Sequence, residues 1–220
     1  MTTRGGLTEA QYQLLLPHLP PVKPHRGRPN IEHLHIINAI LWFLRTGAPW
    51  RDLPDYFPRW KTVHSRFSRW IKLGIWSKIL QKLQSIKQDL NDIDWDINYI
   101  GSTLCRAHRH AAGARRQGRS PQDSARSQAL GRSVGGFSTK VHIRVKGKGC
   151  ILNLKVTPGQ DGDAPELISL LKEGKVKNMS GGRAKQKPKR IVADKAYNSK
   201  MIRNWCWCHS IMVTIPKKKN

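Results

Sequence analysis

Apolar positions recur along this chain with two different periods, and the period changes near Asn91. Leu7-Thr8-Glu9-Ala10-Gln11 has the form of a capping box, with Thr8 at the N-cap and Gln11 three residues on, so a helix starts there and stops before Pro17. Pro20 to Pro29 reads as a basic loop. From Ile31 to Arg45 the residues Leu34, Ile37, Leu41 and Leu44 fall at helical spacing, and Gly47 and Pro49 end the run. A Pro-rich turn from Leu53 to Pro58 leads into a helix with Val63, Phe67 and Trp70 as its apolar stripe and Lys61, Arg66, Arg69 and Lys72 on its other faces. A last helix, Ile75 to about Leu90, carries Trp76, Ile79, Leu80, Leu83 and Ile86 on one side. Residues 1–91 therefore predict an all-α domain, with Trp42, Trp50, Trp60, Trp70 and Trp76 serving its packing.

Beyond Asn91 the pattern alternates, with Ile93, Trp95, Ile97 and Tyr99 set against Asp92, Asp94, Asp96 and Asn98. Thr139 to Val145 alternates again through Val141, Ile143 and Val145, and Cys150 to Thr157 is its hairpin partner. Arg190 to Ala193 and Ile211 to Ile215 supply two more strands. Between the strand at 150–157 and the one at 190–193, Asp163-Ala164-Pro165-Glu166 opens a helix, with Asp163 as N-cap, Pro165 in the first turn and Glu166 closing a capping box. The chain is thus α+β: a helical domain over 1–91, then a mixed α/β domain over 92–220.

Charge narrows the partner. The 220 residues hold 40 Lys and Arg against 14 Asp and Glu, a formal +26, which points to a polyanion. Nucleic acid is favoured over membrane, because no apolar run approaches the ~18 residues that span a bilayer. The start Met1-Thr2-Thr3-Arg4-Gly5-Gly6 lacks a signal-peptide core, so a cytoplasmic, nucleoid-associated protein is expected. Cys105, Cys150, Cys206 and Cys208 read as free thiols, and Cys206-Trp207-Cys208-His209 lacks a second ligand pair for structural zinc. A basic, Ser- and His-bearing helix over Lys61 to Lys72, after a tight turn, suits the recognition helix of a helix-turn-helix. Leu104 to Ser133 holds seven arginines and one acid, a segment that reads as a surface insertion contacting phosphates rather than one that packs by itself.

Two strand ends carry the candidate chemistry. Arg190-Ile191-Val192-Ala193-Asp194 is a short apolar strand opening onto a carboxylate, whereas Asn98-Tyr99-Ile100-Gly101-Ser102-Thr103 repeats the design with glycine in the acid's place. Lys195 and Tyr197, just past Asp194, are placed to touch a DNA backbone. Nearly the whole chain resembles the IS5-group transposases, within the larger IS4-like collection of bacterial insertion sequences. The resemblance is carried by Leu7 to Gln11, Trp50-Arg51-Asp52-Leu53-Pro54, Trp60-Lys61-Thr62-Val63, Arg106-Ala107-His108-Arg109-His110-Ala111-Ala112-Gly113-Ala114, Gly131-Arg132-Ser133, Gly135-Gly136-Phe137-Ser138-Thr139-Lys140 and Val192-Ala193-Asp194-Lys195.

The resemblance implies a ribonuclease-H-like catalytic domain with an Asp, Asp, Glu triad binding two divalent ions, normally magnesium, and an N-terminal helical domain that helps bind terminal inverted repeats. Gly101 then stands where the family has its first Asp, and Asp194 matches the second. The family's Glu lies in a helix beyond the last strand, which this sequence does not reach, so an incomplete domain is expected. Magnesium binding should accordingly be weak or absent. Expected DNA contacts are Lys61, Arg66, Arg69, Lys72, Arg106, His108, Arg109, His110, Arg115, Arg116, Arg132, Lys140 and Lys195; His108 and His110 suit phosphate contact or loop packing equally. Expected partners are inverted-repeat and target DNA, with a homo-oligomer on DNA compatible with both. The alternative is a DNA-binding regulator or competitor at element ends, without catalysis.

Overall fold

The computed structural model describes residues 5–22, 31–108, 128–147, 149–179 and 181–217. The chain divides into two compact units, 1–83 and 84–220, with the division inside a helix rather than at residue 91. Arg109, His110, Arg115 and Arg116 lie outside the described residues.

The first unit is helical. Helix α1 (Glu9–Leu15) opens on the expected capping box, in which the Thr8 hydroxyl accepts from Gln11 N–H and the Gln11 side chain accepts from Thr8 N–H; a 3-10 turn, Leu16–His18, takes up Pro17. Helix α2 (His33–Thr46) ends on Gly47, whose φ of 65° is the left-handed C-cap that glycine adopts without strain. Its buried face is His33, Ile36, Ile37, Ala39 and Ile40. That corrects the expected stripe: Leu34 and Leu41 are only partly buried and Leu44 is 58% exposed. Helix α3 (Trp60–Lys72) buries Val63 and Trp70, and α4 (Ile75–Asp89) adds Ile75 and Ile79 to the same core. The connection from α2 to α3 runs from Gly47 to Arg59 and contains a 3-10 turn, Trp50–Asp52. That is far longer than the three- or four-residue turn of a compact helix-turn-helix. The short connection, the two residues Leu73-Gly74, lies instead between α3 and α4.

The second unit is a mixed sheet with helices. Strands β1 (Ile97–Arg106), β2 (Gly131–Ser133), β3 (Gly136–Lys146), β4 (Ile151–Pro158), β5 (Arg190–Ala193) and β6 (Met212–Thr214) form one sheet, with α5 (Asp163–Glu173) and α6 (Lys200–Cys208) inserted after β4 and β5. Short β2 pairs along β3, so the last three residues of the Arg-rich segment do pack. The main path runs β4-β3-β1-β5-β6, antiparallel among the first three and parallel across β1-β5-β6. This is the ribonuclease-H-like strand order, and the chain is α+β as expected.

Two expectations about this unit fail. The alternation through Ile93 and Trp95 does not continue in phase into β1, where Asn98 and Ile100 are buried and Tyr99 is 42% exposed. Likewise β3 buries His142, Arg144 and Lys146, leaving Val141, Ile143 and Val145 half-buried. The cause is α5. Its last turn and the following segment need donors, and Arg144 supplies them: Nε to Asn98 Oδ1 (2.8 Å), Nη1 to the Leu171 and Gly174 carbonyls (3.5 and 3.4 Å) and Nη2 to Gln186 O (2.6 Å). Burial pushes the Arg144 guanidinium down to about 10. Leu167, Leu170, Leu171, Ile191, Tyr197, Ile202 and Cys206 complete the core beneath. No described helix is long and apolar enough to cross a membrane.

Candidate functional site

Strand pairing fixes the geometry of the two candidate ends. In the parallel ladder Ile100 is opposite Ala193, so the chain advances on both strands to Gly101 and Asp194 side by side. Ile100 and Ala193 point into the core, so alternation puts Gly101 and Asp194 on the opposite face. Asp194 is exposed, and its Oδ1 accepts the Ala196 N–H at 2.8 Å, capping the 3-10 turn Lys195–Tyr197. A Cβ placed on Gly101 would meet nothing within 4 Å. The position therefore accepts a side chain that the sequence does not provide.

The turn after Asp194 is anchored from beneath. Tyr197 is fully buried, which corrects the expectation that it touches DNA. Its hydroxyl lies 3.4 Å from His142 Nδ1 and hydrogen-bonds Ser102, and burial raises the phenol to about 12. His142, also buried, has Nε2 at 2.9 Å from Thr157 Oγ1, and desolvation holds its pKa below the usual histidine value. Ser102 thus ties β1 to the turn following β5, one residue past the empty position. Nothing in the spacing of these residues announced that link.

Asp163 needs a second correction. Gly162 is the N-cap of α5, without a side-chain bond, and Asp163 is the first helical residue. Its Oδ1 lies 3.3 Å from Lys140 Nζ and 3.7 Å from His142 Nδ1. Lys140 also donates to the Asp161 carbonyl at 2.8 Å, so this lysine is held inside the unit and not offered to DNA. Glu166 pairs with Lys155 at 2.8 Å rather than closing a capping box.

Two hard divalent ions on one phosphate need several carboxylate oxygens around them. At this strand edge the described residues supply one carboxylate, already engaged with a backbone N–H, beside a residue with no side chain. No group of three or more His, Cys, Asp or Glu among the described residues is placed to hold a metal ion. The donor set does not fit a two-metal centre.

The expected basic residues fall into distinct environments. On α3, Lys61, Ser65, Arg69 and Lys72 are exposed at positions i, i+4, i+8 and i+11, one continuous stripe. Arg66 is not part of it. Its Nη1 lies 3.0 Å from His33 Nδ1 and donates to Ile31 O at 3.3 Å, while His33 Nε2 lies 2.6 Å from Pro20 O. A carbonyl can only accept, so His33 carries its proton on Nε2 and Nδ1 accepts from Arg66. Burial lowers the pKa of both groups. Arg106 and Lys195 are exposed at the strand ends, His108 is exposed just beyond β1, and the Arg132 guanidinium lies 4.9 Å from the Phe137 ring centroid.

Comparison with known proteins adds sequence relatives to this geometry. Residues 7–80 match the family model for transposases of the IS4/5 family, and residues 97–220 match the transposase DDE domain. The uncharacterized protein y4sN of Sinorhizobium fredii is 34% identical over 119 residues, 53% of this chain and 90% of the relative. The 16.2 kDa protein of insertion element IS402 from Burkholderia cepacia is 30% identical over 102 residues, 44% of this chain and 69% of the relative. Among solved structures, the Mos1 strand transfer complex is similar at 11% identity and a TM-score of 0.30, covering 87% of this chain and 60% of that one.

Proposed function

Since the chain belongs to the DDE transposases of the IS4/5 family, we propose that it binds the terminal inverted repeats of an insertion element through its helical unit and does not itself cut DNA. The observation that carries this reading is the placement of Gly101 beside Asp194, one residue past the Ile100–Ala193 pair. The family relies on a divalent metal, magnesium in our reading, and a single carboxylate at this strand edge holds such an ion weakly. Lys61, Arg69 and Lys72 give the protein a phosphate-facing stripe, and the formal +26 gives it long-range attraction to DNA. A polypeptide of this kind occupies element ends and competes there with active transposases.

The test uses the purified full chain with labelled duplexes that carry the element's terminal repeats or a scrambled sequence of equal length. Gel shifts should favour the repeats, and added magnesium or manganese should yield no cleavage. Metal-dependent nicking at the repeat ends by the unaltered chain would overturn the claim of inactivity, and equal affinity for scrambled duplex would overturn repeat recognition.

A further inference from the structure

Helix α6 ends in Cys206-Trp207-Cys208-His209, a sequence with no part in the reading above. The two thiols do not form a ligand pair: Cys206 is buried, its thiol pushed up to about 11, and Cys208 is exposed. Residues two apart on a helix also point to different sides. What this segment does build is a cavity of about 450 Å³, within the ~300–1,000 Å³ of small-ligand sites.

One wall of the cavity is aromatic. The Trp205 and His209 rings stack with centroids 3.8 Å apart and planes 20° from parallel. His209 Nδ1 lies 2.7 Å from the Trp205 carbonyl oxygen, to which it donates, and this holds the imidazole flat on the indole. Leu171 and Ile211 give the site apolar backing, and Lys172, Arg183 and Lys187 line it, while no described Asp or Glu does. A flat π surface bordered by cations suits an unstacked base with its phosphate. Paired bases inside a duplex keep their faces covered and cannot use the wall. Trp207, two residues on and so on another side of the helix, is 82% exposed and lines a separate surface hollow with Arg203.

We propose that this cavity holds an unpaired nucleotide of a DNA strand, its base against the Trp205–His209 pair and its phosphate toward Lys172, Arg183 and Lys187. The site is separate from the α3 stripe and from the Gly101–Asp194 edge, so it stands or falls independently of the function proposed above.

The test is fluorescence anisotropy on the full chain with a labelled thymidine oligonucleotide and with a blunt duplex of equal length. Two variants are compared: His209→Ala, and Arg183→Ala combined with Lys187→Ala, which leaves the ring pair intact. Each should weaken single-strand binding at least about fivefold and change duplex binding by less than about twofold. Photocrosslinking with 5-iododeoxyuridine should place the adduct on the tryptic peptide 204–217. Equal losses on single strand and duplex would reduce the site to plain charge, and unchanged single-strand affinity in both variants would remove it. If excess thymidine monophosphate displaces the strand, one nucleotide suffices for recognition; if it does not, strand continuity is required. Both of those outcomes keep the nucleotide assignment.

Discussion

Restoring a carboxylate at Gly101 probes the site with a single change. Because a Cβ there meets nothing within 4 Å, Gly101→Asp carries no steric cost, and replacing a mid-strand glycine returns a few tenths of a kcal/mol or more. The cost is electrostatic. Neighbouring strands lie ~4.8 Å apart, so the new carboxylate sits roughly 5 Å from Asp194, and the repulsion is about 1–3 kcal/mol at effective dielectric constants of 80 to 20. Without metal the variant should therefore melt at the same temperature as the parent or a few degrees lower. A divalent ion reverses the sign, since it binds both oxygen sets and cancels their repulsion. With a Kd on the order of 1 mM, 10 mM manganese stabilises the variant by about 1.4 kcal/mol, while the parent gains almost nothing. Thermal melts with and without metal, repeated on Gly101→Asn as the uncharged control, read this difference. Equal metal-induced shifts in parent and variant, or a shift in the Asn control as large as in the Asp variant, would refute the assignment of this edge to metal binding.

Replacing Lys61, Arg69 and Lys72 by Ala should lower the slope of log K against log salt by about one per residue while leaving stability within ~0.5 kcal/mol, as salt titrations and melts would show. Arg66→Ala should do the opposite, costing about 1–3 kcal/mol by stripping buried His33 of its donor and leaving the salt slope nearly unchanged. Arg144→Met leaves Asn98 Oδ1 and the Gly174 and Gln186 carbonyls without their donor and should cost ~3 kcal/mol or more in urea denaturation; a loss below ~1 kcal/mol would show that water replaces the guanidinium. His33 and His142 have folded pKa values below 6.5, so the unfolded chain binds more protons under acid. Their contribution is complete above that value and is lost as the pH falls through it toward the folded values. Stability measured from pH 7.5 to 5 should drop, and His142→Gln should flatten the fall.

Local chemistry was the legible part of this chain. Thr8 and Gln11 named a capping box, Gly47 a left-handed cap, and one alternating run, its hairpin partner and two short apolar runs placed β3, β4, β5 and β6 within a few residues. What alternation cannot supply is which face of a strand is covered, because both phases of a period-2 pattern are equally regular. In β3 the apolar phase looked like the core, yet Arg144 is buried because a helix end overhead needs its donors. Asp163 misled for a similar reason. Its position before Pro165 has the composition of an N-cap, but Lys140 and His142, distant in sequence, draw the carboxylate toward β3. Arg66 looked like one of four surface cations, and only the fold of Ile31 and His33 against it shows otherwise.

The same distinction between local and distant contacts bears on how a site loses its chemistry. Asp194 is presented by β5 and by a turn whose underside is fixed through Tyr197, Ser102 and His142, none of which depends on the residue at position 101. Gly101 is held in register by the β1 backbone ladder, to which its side chain contributes nothing. Removing the carboxylate there also removes the repulsion it exerted on Asp194, so the change costs the fold little and relieves one strain. In the function proposed above, the strand edge thus keeps its geometry after its chemistry is gone, and helix α3 keeps its basic stripe. Under that proposal the chain keeps its basic surfaces and lacks one carboxylate that the family's chemistry uses, which is the combination a competitor at element ends requires.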